Sequence, residues 1–180
     1  MSAFSDADWG SDKDSRRSTS GVMVMVNESP VIFKSKLQNS VSLSTAEAEY
    51  VALSLCIQDI LWTKILLMEM KVKIDARVVV YEDNQSAIAI AKNERYQRQA
   101  KHIAIPNHFV LDQVNAKFIR LEYIKTKSQL ADIMTKAILN KTFQFLVARQ
   151  TSETSSRGGV LMMNNSCTLK RRDDIWLLSF

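Results

Sequence analysis

Two hydrophobic rhythms follow one another along this chain. "GVMVMVN" at 21–27 and "VIFKSK" at 31–36 are compact apolar runs rich in β-branched residues, separated by Asn27 to Pro30. They predict two strands joined as a hairpin. Residues 1–5 predict another short strand beside them, giving a three-stranded meander. From about Thr45 to Met70 the period lengthens. Tyr50, Leu53, Ile57, Ile60, Leu61 and Ile65 recur at helical spacing and form one apolar stripe. Ser44 and Glu47 precede it with the spacing of a capping box, in which each satisfies an amide left without a partner in the first turn.

Further on, "ARVVVYE" at 76–82 is continuously apolar, as expected of a strand covered on both faces. "NQSAIAIAKN" at 84–93 predicts a short helix of small residues. Residues 101–116 read as a helix that Pro106 must interrupt or restart. "KFIRLEYIKT" at 117–126 alternates Phe118, Arg120 and Glu122 with Ile119, Leu121 and Tyr123, the period of a strand. "SQLADIMTKAILNKTFQFLVARQ", from 128, predicts an amphipathic helix. The order β-β-β-α-β-α-α-β-α puts antiparallel strands before α/β alternation. It predicts an α/β domain with one mixed sheet and helices packed on it.

The pattern fades after residue 150. "TSETSSRGG" reads as a polar linker, and the stretch beyond it has apolar patches without a sustained period. We read 1–150 as the domain and 151–180 as a poorly ordered tail, with a short C-terminal helix as the alternative. The chain has 180 residues, 46% of them hydrophobic, which suits one domain with a real core. Its net charge of +5 permits an anionic partner such as nucleic acid without requiring one. Cys56 and Cys167 match no metal spacing, and Cys56 reads as a buried small apolar residue. The acidic N-terminus does not resemble a signal or transit peptide, and no apolar run is expected to span a membrane. An intracellular setting, cytoplasm or nucleus, fits.

Acidic residues carry the candidate chemistry. Asp6, Asp8, Asp12 and Asp14 crowd the front of a basic chain. An EF-hand loop fails, because counting from Asp6 puts Ser11 and Arg17 where Gly and Glu are needed. Asp12 and Asp14 sit among Lys13, Arg16 and Arg17 and read as a charge-balanced turn. Asp6 is expected at the end of the first strand. Glu47 is occupied as a cap, which leaves Glu49 at the border of the apolar stripe. Asp83 closes a buried strand, where ligands gather in open α/β sheets. Asn84 can cap the following helix, which leaves Asp83 spare. Asp132 lies in the first turn of the last helix, where a helix dipole alone would explain it. Each acid has a structural explanation by itself. Gathered at one edge of a mixed sheet, four carboxylates would be tolerable only around divalent cations. Hard oxygen donors of this kind suit Mg²⁺ or Mn²⁺.

"FSDADWGSDKDSRRSTSG", "SLSTAEAEYVAL", "VYEDNQSAIAIAKN", "KHIAIPNHF" and "LEYIKTKSQLADIMTKAI" stand in an order that resembles the ribonuclease H domain of copia-type retrotransposon Pol polyproteins. The resemblance spans about residues 3–148. It implies an RNase H-like fold: a five-stranded mixed sheet, three strands antiparallel and then parallel, flanked by helices. It also implies catalytic, metal-binding roles for Asp6, Glu49, Asp83 and Asp132, with two Mg²⁺ or Mn²⁺ ions. The implied reaction is hydrolysis of the RNA strand of an RNA–DNA hybrid, leaving a 5′-phosphate and a 3′-hydroxyl. A reverse transcriptase domain in the parent polyprotein is the implied partner.

Candidate nucleic-acid contacts are Arg16, Arg17, Ser18, Thr19, Asn84, Gln85, Lys101 and His102, through phosphates or 2′-hydroxyls. Trp9 and Trp62 read as packing residues. His102 and His108 are six apart and do not share a helix face. Cellular relatives carry a histidine in a loop before the last acid, and no histidine lies between 109 and 132 here.

The chain also departs from the family pattern. Met1 stands five residues before Asp6, where the family has more chain, so a truncated and weakly paired first strand is expected. Glu82 replaces a small or apolar residue and is expected either to disturb the metals or to face away by strand alternation. Ala104 and Pro106 stand where Asp and Arg are usual. No protease, integrase or polymerase pattern is present, so transposition by this segment alone is not expected. The alternative to an active nuclease is a catalytically decayed relic of the same fold that binds nucleic acid or is inert.

Overall fold

The computed structural model describes residues 1–73, 77–93, 104–136, 168–172 and 175–179. Three antiparallel strands come first: β1 (Ser2–Asp8), β2 (Thr19–Val26) and β3 (Ser29–Leu37). Helix α1 (Thr45–Glu69) follows, then β4 (Val78–Glu82) and α2 (Gln85–Lys92). The next elements are α3 (Ala104–Asn115), β5 (Ile119–Tyr123) and a single turn, α4 (Asp132–Thr135). The sheet order is β3-β2-β1-β4-β5. β1 is central, antiparallel to β2 and parallel to β4, and β4 is parallel to β5. This is the expected five-stranded mixed sheet.

Strand alternation divides the core into two layers. Ala3, Val22, Val24, Val78, Val80, Ile119 and Leu121 face one way, against Tyr50, Leu53, Cys56, Ile57 and Ile60 of α1. Phe4, Met23 and Met25 face the other way and are covered by Leu130, Ala131 and Met134. Leu53 is wholly buried, so its truncation to Ala would cost about 2–5 kcal/mol. The capping box forms with one variation. Ser44 Oγ accepts from the Glu47 amide, while the Glu47 carboxylate accepts from the amide of Leu43.

Several expectations need revision. β1 is seven residues long and pairs along its whole length with β2, so it is not weakly held, and Asp6 lies within it rather than at its end. Pro30 falls inside β3, an edge strand, next to a bulge at Val24/Met25. Such sites tolerate a missing amide donor. Pro106 is the third residue of α3, in the first turn, where an N–H has no intrahelical acceptor to lose. The apolar stripe of α1 runs out early, since Ile65 is exposed. Trp9 and Trp62 are both at least half exposed and are not core residues. The Trp9 indole instead donates to the Ser42 carbonyl at 3.0 Å. By length and composition α1 could cross a membrane, against the expectation that no segment could. Its apolarity is explained by its place in the core, where Ala48, Tyr50, Ala52, Leu53, Cys56, Ile57 and Ile60 are buried.

The long helix read from residue 128 resolves into a 3-10 turn at Thr126–Ser128 and then α4, and its continuation lies outside the described residues. Near the C-terminus, β6 (Thr168–Arg172) and β7 (Ile175–Ser179) pair as an antiparallel hairpin, where the alternative reading had a helix.

Candidate metal centre

Three of the four singled-out acids converge. One carboxylate oxygen from each of Asp6, Glu49 and Asp83 lies within 4.8 Å of the others. Their supports differ. Asp6 belongs to the central strand and is fully buried. Glu49 stands in the second turn of α1, with the stripe residue Tyr50 beside it fixing which face turns to the sheet. Asp83 follows the last residue of β4. Asn84, not Asp83, caps α2, since its Oδ1 accepts from the amides of Ser86 and Ala87 at 2.9 and 3.1 Å.

Asp132 arrives differently. Gln129 is buried, and its side-chain amide donates to the Ser5 carbonyl at 2.8 Å, which docks the segment before α4 onto β1. Gly21, the β2 partner of Asp6, makes the close approach possible. A Cβ there would stand 2.6 Å from Thr135 Cγ2 and 2.8 Å from the Ala131 carbonyl oxygen. Seated this way, α4 brings the Thr135 hydroxyl to donate to Asp6 Oδ2. Lys136 Nζ lies 3.3 Å from Asp6 Oδ1 and 2.8 Å from Asp132 Oδ1. Asp132 therefore meets the cluster at the Asp6 side, acting on Asp6 directly as well as through Lys136, and is not one of the close trio.

The electrostatics show concentrated negative charge removed from water. Burial, reinforced by Glu82, Asp6 and Asp83, pushes Glu49 up to about 10. Its Oε2 is buried and has no hydrogen-bond partner among the described residues. Burial also raises Asp6, against the Thr135 hydrogen bond and the Lys136 charge, which pull it down. Asp8 is raised more simply, by partial burial. Glu82 does not face away as strand alternation allowed. It shares the α1 side of β4 with Val78 and Val80 and is fully buried. Its carboxylate accepts from Ser5 Oγ at 2.8 Å and from the Asn84 amide at 3.2 Å. Burial pushes it up to about 8 in spite of these donors.

A hard dication suits these donors. Three carboxylates meet, one offers a buried oxygen without a partner among the described residues, and Lys136 relieves their mutual repulsion only in part.

Of the other front-end acids, Asp12 has a structural part. Asp12 closes the loop between β1 and β2, accepting from the Ser15 amide and hydroxyl. Of the expected nucleic-acid contacts, Arg16 is exposed on that loop in a left-handed conformation (φ 58°). Arg17 donates from Nε to Ser15 Oγ at 2.9 Å. Ser18 is fully buried, and its hydroxyl accepts from the Gly10 amide, so it is not presented to a ligand. Thr19 pairs with the Ser11 hydroxyl at 2.8 Å. Asn84 is committed as a cap, and Gln85 is exposed beside it. Lys101 and His102 lie outside the described residues. Sequence reasoning missed Lys136, Thr135, Gln129 and Gly21. Only Lys136 left a signal, its i, i+4 spacing from Asp132.

No protein-family model matches the chain. It is 36% identical over 144 residues, 80% of its length, to the Retrovirus-related Pol polyprotein from transposon RE1 of Arabidopsis thaliana. Its identity to the Retrovirus-related Pol polyprotein from transposon TNT 1-94 of Nicotiana tabacum is 33% over 144 residues, again 80% of the chain. The chain spans only 10% and 11% of these relatives. Among solved structures it is similar to LC11-RNase H1, isolated from compost. That match has a TM-score of 0.50 and 14% identity, and it covers 81% of this chain and 96% of the other. The homologues are thus copia-type retrotransposon Pol polyproteins, and the fold is that of RNases H.

Proposed function

We propose that this RNase H-like segment, homologous to part of copia-type Pol polyproteins, is a divalent-metal-dependent endonuclease that hydrolyses the RNA strand of RNA–DNA hybrids. The observation that carries the reading is the convergence of Asp6, Glu49 and Asp83 within 4.8 Å, with a buried Glu49 oxygen that lacks a partner among the described residues. Asp6, Glu49 and Asp83 would hold Mg²⁺ or Mn²⁺, with Asp132 at the Asp6 side. Such an ion, when bound, supplies an acidified water and neutralises charge on a phosphodiester.

The chain's own residues set the conditions for that chemistry. Thr135 fixes one oxygen of Asp6 and leaves Oδ1 turned toward Lys136. Glu82 ties β1 to the end of β4 by joining Ser5, the neighbour of Asp6, to Asn84, the neighbour of Asp83. The burial of Glu49 and Asp6 keeps bulk water from competing for their oxygens. Arg16 and Arg17 on the β1–β2 loop and Gln85 at the start of α2 would hold the duplex, mainly by its phosphates. Lys101 and His102 remain candidates from the sequence. The parent polyprotein would join this segment to a reverse transcriptase.

The test is cleavage of a hybrid with labelled RNA in Mg²⁺. The parent chain should cut it and Asp83→Asn should not. A folded parent that leaves the hybrid intact would instead support the decayed relic.

A further inference from the structure

We propose that Lys136 takes the place of one of the two cations. On this view the centre loads a single dication at Asp6, Glu49 and Asp83, and the Lys136 ammonium supplies the positive charge between Asp6 and Asp132. This deepens the metal-dependent reading above and rests on it.

The geometry points there first. Lys136 Nζ sits 3.3 Å from Asp6 Oδ1 and 2.8 Å from Asp132 Oδ1, so an ammonium group already joins the fourth acid to the trio where a second ion would find its donors. An ion such as Mg²⁺ needs its oxygens at about 2.0–2.1 Å and cannot share that space with an ammonium group. The bridge is also held from several sides. Lys136 lies four residues after Asp132, an arrangement that favours the ion pair, and its amide donates to the Asp132 carbonyl at 3.1 Å. The turn that carries it is seated against Gly21 and docked through Gln129, so the lysine backbone is fixed beside the central strand. Asp6 is fully buried. Moving Lys136 away would leave that carboxylate without its only charged hydrogen-bond donor among the described residues. Lys136 reaches the trio only at Asp6, and among the described residues Glu49 Oε2 has no hydrogen-bond donor, which is where an ion from solution is needed.

The experiment is a calorimetric titration of Mn²⁺ into the full chain at neutral pH without nucleic acid, with Lys136→Met and Lys136→Arg in parallel. Thermal denaturation establishes that each protein is folded. The expected stoichiometry is one ion for the parent and for Lys136→Arg, and two for Lys136→Met. In the cleavage assay, the rate should depend on Mg²⁺ with an apparent order near one in the parent and near two in Lys136→Met. Two ions bound by the parent would overturn the proposal and leave the nuclease reading standing. One ion bound by a folded Lys136→Met would do the same. A parent that binds no ion would remove the metal centre itself, and the proposal with it. If Lys136→Met does not fold, the stoichiometry of the parent still decides.

Discussion

Replacing Glu49 by Gln should stabilise the metal-free protein while destroying its metal site. Burial and three neighbouring carboxylates hold Glu49 at about 10, against an ordinary value of 4.5. The folded protein therefore keeps a proton on Glu49 that the unfolded chain releases. Since the folded value is the higher one, the contribution of this group to stability is fully present below about pH 4.5 and is lost as pH rises toward 10. Each pH unit in that window costs up to about 1.4 kcal/mol, so the burden at pH 7 is about 3 kcal/mol. Gln is neutral throughout and nearly the same shape, and its amide can donate to the carboxylates around it. Urea denaturation in EDTA should then show Glu49→Gln equal to the parent near pH 4. It should become more stable as pH rises, by up to about 3 kcal/mol at pH 7. Excess Mg²⁺ should narrow or reverse the gap, because only the parent gains binding energy, about 2.7 kcal/mol at a hundredfold excess over Kd. A variant less stable than the parent in EDTA at pH 7, or a gap independent of pH, would refute the reasoning.

Other sites give separate tests. Gly21→Ala should push α4 off the sheet and cost about 1–3 kcal/mol by overpacking, seen in thermal denaturation, together with loss of hybrid cleavage. Glu82→Ala leaves Ser5 Oγ and the Asn84 amide without a buried acceptor and should cost about 1–3 kcal/mol in urea unfolding. Glu82→Gln, which keeps an acceptor for the Asn84 amide, should retain most of that stability. Arg16→Ala should weaken hybrid binding evenly across sequences and reduce the salt slope of binding by about one unit, measured by fluorescence anisotropy.

Much of the sheet could be read from periodicity, because each strand buries a regular face. Val22 and Val24 in β2 and Val78 and Val80 in β4 all turn to α1. The capping logic also survives contact with the structure. Glu47 is occupied at the start of α1 and Asn84 caps α2, so Glu49 and Asp83 are left to meet Asp6. What periodicity could not reveal are contacts between residues distant in sequence. Gly21 matters only because α4 lands on it, and Thr135 only because that landing brings its hydroxyl to Asp6, 129 positions away. Alternation within β4 places Glu82 on the buried face of Val78 and Val80, and what the sequence could not show is that Ser5 and Asn84 stand there to donate to it. Ile65 and Trp62 misled for the opposite reason. Ile65 is apolar and suitably spaced yet exposed, and Trp62 is exposed although Ile60 and Thr63 near it in α1 are buried, so it lies off the buried face.

Diffraction from crystals grown with Mn²⁺, using the anomalous signal to locate the ion, tests the central claim most directly. The account predicts manganese at about 2.1–2.2 Å from oxygens of Asp6, Glu49 and Asp83. Manganese bound elsewhere on the surface, with these three carboxylates left unliganded at saturating concentration, would contradict it.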